Sequence, residues 1–264
     1  MKVVFIGSGN VATHLSKIIL AGGNQILQVY SKTLSNAKKL ALELNAEFTS
    51  NLQKIRKDGD IYFISVTDSA VPEVAKKINL GRMLVVHTSG SLPLDSVKRV
   101  SENFGVFYPM QTFSKEVKMD YSGIPIFVEA NSKSNEKILY RLACEISGGK
   151  TNVHLLKSNQ RKAVHLAAVF ANNFPNHLFS IADEILKSYG LSFNLLKPLI
   201  LQTAKKIQHN SPDKMQTGPA FRGDKKIIEE HLDMMKNRPA YQKMYQLLSE
   251  SISNNGVNNK SKFR

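Results

Sequence analysis

Residues 7–12 read Gly-Ser-Gly-Asn-Val-Ala. They stand directly between an apolar, β-branched run (Lys2–Ile6) and a stretch where Val11, Leu15, Ile18 and Ile19 recur at helical spacing. No other feature restricts the fold as tightly. A strand that enters a helix through Gly-x-Gly-x-x-Ala is the dinucleotide fingerprint of a parallel βαβ unit. Gly7 makes the tight turn, Gly9 lets backbone approach a pyrophosphate, Ala12 allows close helix–strand packing, and the helix N-terminus attracts negative charge. Gly7, Ser8, Gly9, Asn10, Val11 and Ala12 are therefore assigned to cofactor binding. The competing reading is a structural Rossmann turn that has lost its ligand.

The following sequence keeps the same rhythm. Candidate strands fall at Gln25–Tyr30, Asp60–Val66, Met83–His87, Gly105–Tyr108 and Pro125–Glu129, and amphipathic segments such as Val71, Val74, Ala75 and Ile78 lie between them. This predicts an α/β Rossmann-type domain over 1–153, a parallel sheet covered by helices. Strand signals then fade. Ser158–Gln208 has helical spacing, Ala163–Ala171 is apolar or small except for His165, and Pro175 kinks or restarts the helix. Two helices follow a loop over Ser211–Gly223, so 154–253 is expected to be an all-helical domain and the polar stretch 254–264 a flexible tail. The apolar stretch is expected inside its domain or at a dimer seam, which makes a homodimer through the helical domain the expected assembly.

Composition narrows the function classes. At 42% hydrophobic and 8% aromatic residues the chain is too apolar for disorder. The single cysteine, Cys144, excludes a disulfide scaffold and points to a reducing compartment. Gly7 to Asn10 interrupt the N-terminal apolar run before a signal-peptide core forms, and no apolar run nears the roughly 20 residues of a membrane span, so the expectation is cytoplasmic with no membrane partner. Lys and Arg number 36 against 21 Asp and Glu, a formal charge of +15 carried by both halves. That spread suits small anionic ligands better than a nucleic-acid stripe. The seven histidines show no metal-ligand spacing, and neither a Gly-x-Ser-x-Gly elbow nor a Walker loop is present, so no metal is expected.

An NAD site usually carries an acidic residue at the end of the second strand. Here that position reads Tyr30-Ser31-Lys32-Thr33, and the next carboxylate is Glu43. A cation beside two hydroxyls suits a 2′-phosphate, so NADP is the expected cofactor, unless Lys32 only solvates a helix start. Two further loops lie at strand ends, where ligands of open α/β sheets bind. In the first, Val66, Thr67 and Asp68 are cofactor candidates, with helix capping by Asp68 or Ser69 the alternative. In the second, His87 with Thr88 and Ser89 either lines the nicotinamide pocket or satisfies local backbone.

Several of these stretches together resemble one family. The Gly-x-Gly-x-x-Ala opening, His87-Thr88-Ser89-Gly90, Tyr108-Pro109-Met110-Gln111-Thr112-Phe113, the helix from His165 to Phe174, and Thr217-Gly218-Pro219-Ala220-Phe221-Arg222-Gly223-Asp224 are similar to the NADP oxidoreductases that join a Rossmann-like domain to a C-terminal domain of unknown function (2520). The likeness spans nearly the whole chain apart from the tail, and the late motif is its most specific part. The family is similar in architecture to pyrroline-5-carboxylate reductase, ketopantoate reductase and the 6-phosphogluconate dehydrogenase group. The resemblance implies a helical domain like the C-terminal domain of that last group, supplying substrate residues and a dimer interface, and a cleft between cofactor and substrate groups. It implies no particular substrate.

Hydride transfer to C=O or C=N needs a proton donor and groups that orient the substrate. His165 is the first candidate, as the ionisable group in an apolar stretch where burial would hold it near neutral, with a satisfied core histidine as the alternative. Asn172 and Asn173, two turns on, could hold a carbonyl or carboxylate. Relatives with a catalytic lysine carry it on the equivalent helix; the nearest lysine here, Lys162, is a turn from the expected face. Arg222, between glycines, could grip a substrate anion bidentately, or pair with Asp224. The sequence thus predicts an NADPH-dependent oxidoreductase acting on a small anionic carbonyl or imine; the alternative is a non-catalytic dinucleotide sensor.

Overall fold

The computed structural model describes residues 1–115, 121 and 123–262, with side chains as far as 254. It divides into two compact units, Met1–Ala171 and Asn172–Arg264.

The first unit is built on one eight-stranded sheet. Its strands are β1 (Lys2–Ile6), β2 (Gln25–Tyr30), β3 (Glu47–Thr49), β4 (Ile61–Ile64), β5 (Leu84–His87), β6 (Asn103–Pro109), β7 (Ile126–Ala130) and β8 (Val153–Leu155), in the order β3-β2-β1-β4-β5-β6-β7-β8. The helices are α1 (Asn10–Ala21), α2 (Leu34–Glu43), α3 (Val71–Lys77), α4 (Lys133–Ile146) and α5 (Ser158–Ala168). From β1 the chain first winds outward through β2 and β3, then returns to place β4 on the other side of β1. The carboxyl ends of β1 and β4 therefore face a topological switch point, where such sheets open to a ligand.

Alternation along the strands explains the two covered faces. Val3 and Phe5 of β1, with Phe63 of β4 and Val86 of β5, pack against Leu15 and Ile19 of α1 and Leu139 and Leu142 of α4. Val4, Ile6, Tyr62, Ile64 and Val85 point the other way, onto Val71 and Val74 of α3. A strand buried on both faces needs apolar side chains on both, and these strands are apolar apart from Lys2 at the start of β1 and His87 at the end of β5.

Three features depart from the expected plain parallel sheet. β7 runs antiparallel to β6, pairing Tyr108 with Phe127 and Pro109 with Ile126. The 110–125 connection carries no helix among its described residues, and an antiparallel neighbour needs no crossover helix. β3 and β8 are only three residues long, too short for alternation to reveal them, and β8 lies where strand signals had faded.

The second unit is helical among its described residues: α6 (Phe174–Ser188), α7 (Lys197–Ile207), α8 (Pro219–Arg222), α9 (Lys225–Met234) and α10 (Pro239–Lys262). α10 continues as helical backbone into the polar C-terminal stretch. No helix among the described residues is long and apolar enough to cross a membrane.

Candidate active site

The Gly-rich loop owes its shape to contacts on both sides. Gly7 has φ +132°, and a Cβ there would lie 2.2 Å from the Ser65 carbonyl oxygen at the end of β4. Only glycine fits that approach. The Gly7 amide donates to the Tyr30 carbonyl at 2.8 Å, tying the loop to the end of β2. Ser8 is buried, Ala12 is fully buried under the sheet, and Asn10 and Val11 face outward. At Gly9 nothing lies within 4 Å of a built Cβ, so the backbone is open there to an incoming group. The first turn of α1 has no side-chain cap and no acidic residue. Unscreened amide donors, positive dipole and open backbone together fit a dinucleotide pyrophosphate.

Beside the loop, Tyr30 is buried and its phenol is pushed above its ordinary pKa by that burial. The Ser31 amide donates to Thr49, Lys32 and Thr33 are exposed, and no ion pair among the described residues involves Lys32. The end of β2 therefore offers a cation and hydroxyls, with no carboxylate.

The loops after β4 and β5 are joined to each other. Val66 is half-buried, and Thr67, Asp68 and Ser69 are exposed. Asp68 does not cap the short 3-10 turn it begins; its carboxylate accepts from the Ser91 hydroxyl in the next loop. Thr88 donates to Ser65 at 3.3 Å, and the Ser89 hydroxyl accepts from the amides of Ser91 and Leu92, each at 3.0 Å. His87 is fully buried with both ring nitrogens in use: Nε2 donates to Pro93 O and Nδ1 accepts from the Ser89 amide. Burial first, and the Arg161 guanidinium second, hold its pKa down to about 4. Of its two sequence readings, the backbone-satisfying one describes this neutral, enclosed ring.

What this turn positions is a second histidine. His165, half-buried on α5, approaches Tyr108 at the carboxyl end of β6, with Nδ1 3.1 Å from the phenol oxygen and the rings edge to face at 6.0 Å. Gly90 makes the meeting possible, because a Cβ there would stand 2.7 Å from His165 Nδ1 and 2.8 Å from Tyr108 Cζ. Burial, seconded by the Asp68 carboxylate, raises the Tyr108 pKa, and Arg161 opposes that rise. The phenol is protonated at neutral pH. α5 is pinned in turn by Arg161, whose fully buried guanidinium pairs with Glu129 of β7 and donates to Leu92 O. The Ser158 amide and hydroxyl bind the same carboxylate at 3.0 and 2.8 Å.

The first unit thus brings together the Gly-rich loop, the end of β2, the loops after β4 and β5, and His165. Asn172 and Asn173 close a π-helical turn over Val169–Asn173 and belong to the second unit. There Arg222 is the exposed last residue of α8, between Gly218 at φ +107° and Gly223 at φ +76°. Asp224 caps α9 through the Ile227 amide, and no ion pair among the described residues joins it to Arg222. Tyr108, Gly90 and the Asp68–Ser91 link escaped assignment from sequence, since each partner lies far along the chain. No group of three or more His, Cys, Asp or Glu among the described residues could hold a metal.

Comparison with known proteins adds a second line of evidence. Residues 2–90 match the family model described as NADP oxidoreductase coenzyme F420-dependent, and residues 124–252 match the domain of unknown function DUF2520. A crystal structure from Bacteroides fragilis, titled a "putative NADP oxidoreductase", is 42% identical, with 96% of this chain and 98% of that one covered at a TM-score of 0.91. An imine reductase from Myxococcus stipitatus in complex with NADP+ shares the fold, at 15% identity, TM-score 0.64 and 96% and 93% coverage. L-aspartate dehydrogenase of Methanococcus maripaludis is 28% identical over 97 residues, 35% of this chain and 36% of that protein. The chain thus spans only about a third of that curated relative.

Proposed function

The chain belongs to the NADP oxidoreductase family that joins a Rossmann-type domain to a DUF2520 domain, and from there we propose that it uses NADPH to reduce a small anionic carbonyl or imine compound. The observation that carries this reading is the Tyr108–His165 pair, set at the same carboxyl edge of the sheet as the Gly-rich loop.

Bound NADPH would supply the hydride. Gly7 to Ala12 would hold its pyrophosphate, Val66, Thr67, Thr88 and Ser89 would border it, and Ser31, Lys32 and Thr33 would take the 2′-phosphate. His165 supplies the proton. Tyr108 keeps hold of Nδ1 in either protonation state, because a hydroxyl both donates and accepts. Nε2, which has no hydrogen-bond partner among the described residues, is then left to protonate the oxygen or nitrogen of the reduced bond. Asn172, Asn173 and Arg222 are the groups we assign to orienting the substrate, with Arg222 on its anionic group. The net charge of +15 favours such substrates in the approach. The lone, free Cys144 suits a reducing cytoplasm, and the exposed apolar helices suit a homodimer.

The test is NADPH oxidation against a panel of 2-oxo acids and cyclic imines, beside NADPH binding followed by fluorescence. Turnover of at least one class is expected. Tight binding without turnover across the panel would leave the dinucleotide sensor in its place. Lys32→Ala should weaken NADPH about tenfold and leave NADH within about twofold, the signature of a lost charge-assisted contact to one phosphate.

A further inference from the structure

A cation outside the fingerprint stands at the Gly-rich loop. Lys115, from the connection between β6 and β7, donates from Nζ to the Ser8 carbonyl at 2.8 Å. No carboxylate among the described residues pairs with it. Its neighbours are fastened to the helix that the loop begins. His14 of α1 is buried, and its Nε2 donates to the Ser114 carbonyl at 2.9 Å. A carbonyl can only accept, so a ring proton is on Nε2. Nδ1 is held by the Tyr121 hydroxyl, at 2.8 Å, which can donate or accept. Phe113, also buried, stacks on the same ring at 5.1 Å. Thus a histidine held on both ring nitrogens, one turn into α1, locks the residue before Lys115 against the helix whose N-terminus faces the ligand.

That expenditure of buried contacts on an exposed lysine has an electrostatic rationale. A dinucleotide diphosphate carries two negative charges, whereas a helix N-terminus offers about half a positive charge. The first turn of α1 adds no side chain of its own. We propose that Lys115 is a ligand of the cofactor diphosphate, delivered to the Gly-rich loop from the β6–β7 connection, with His14 as its positioning residue. The proposal rests on the dinucleotide reading above. It differs from the role given to Lys32, which concerns the 2′-phosphate alone.

The two roles separate in a binding experiment on the full chain. Titration calorimetry with NADPH, NADH and ADP should show Lys115→Ala weakening all three by about tenfold, since all three share the diphosphate. Adenosine 2′-monophosphate, which lacks a diphosphate, should be unaffected, and Lys115→Arg should restore most of the loss. His14→Ala should weaken NADPH in the wild-type background and add nothing to Lys115→Ala, because a positioning residue acts only through the group it positions. Unchanged affinities in Lys115→Ala, alongside a loss in Lys32→Ala, would overturn the proposal and leave the dinucleotide reading standing. Folded wild-type protein giving no heat with any of the three would overturn both.

Discussion

The glycine between two rings is the residue on which the proposed chemistry most depends. Gly90 is buried, and a methyl group there would meet His165 and Tyr108 within 3 Å. Gly90→Ala should part the pair and lower turnover about a hundredfold, the order of a lost general acid, with NADPH affinity retained. Parallel loss of turnover and binding would show instead that the whole edge had shifted. His87 provides a different test. Its folded pKa of about 4 lies below the ordinary 6.5, so the unfolded chain binds the proton first as pH falls. Stability is then intact above about pH 6.5, declines between 6.5 and 4, and below that has lost about 3 kcal/mol from this group. Denaturant midpoints from pH 4 to 7 should show that slope in the wild type and a flatter one in His87→Gln. The strand–Gly-rich loop–helix turn was legible because it lies in consecutive residues. Tyr108 and His165 are 57 positions apart and meet only through strand order, which no local pattern encodes.

Among the elements, α5 decides whether the site exists, because it alone carries His165 to the sheet. Its helical spacing was readable, whereas its attachment was not. Arg161 reads in sequence as one more surface cation of a basic chain, yet it is fully buried against Glu129. The tie depends on β7, whose antiparallel direction sets Glu129 beside the start of α5. Removing one member of a buried pair leaves the other charge without compensation. Arg161→Met should therefore cost about 3 kcal/mol and lower the melting temperature by roughly 10 °C. The double change Arg161→Met with Glu129→Leu should recover part of that loss, since no charge then stays buried. If the double variant were as unstable as the sum of the two single ones, the ion pair would not be what fastens α5.

For the molecule as a whole, the contrast between its two units sets the last expectation. The sheet unit encloses two continuous apolar clusters. In the helical unit Ile181, Ala220 and Ser249 are the described residues that are buried, while Leu195, Leu199 and Leu247 are each more than 60% exposed. Leu166 and Phe170 of the first unit are exposed to the same degree, although their stretch was expected inside its domain or at a dimer seam. Soluble chains rarely leave that much large apolar surface in water, and 93 residues with so small a core gain little from folding alone. A second copy offers the same helices as a complementary surface, and a stable pair needs only about 1,600 Å² of total burial. Light scattering should give a dimer mass, with a melting temperature that rises with protein concentration. Leu199→Glu should shift the mass toward the monomer and lower the melting point. A monomer at micromolar concentration with concentration-independent melting would mean that these helices are stabilised without a second chain.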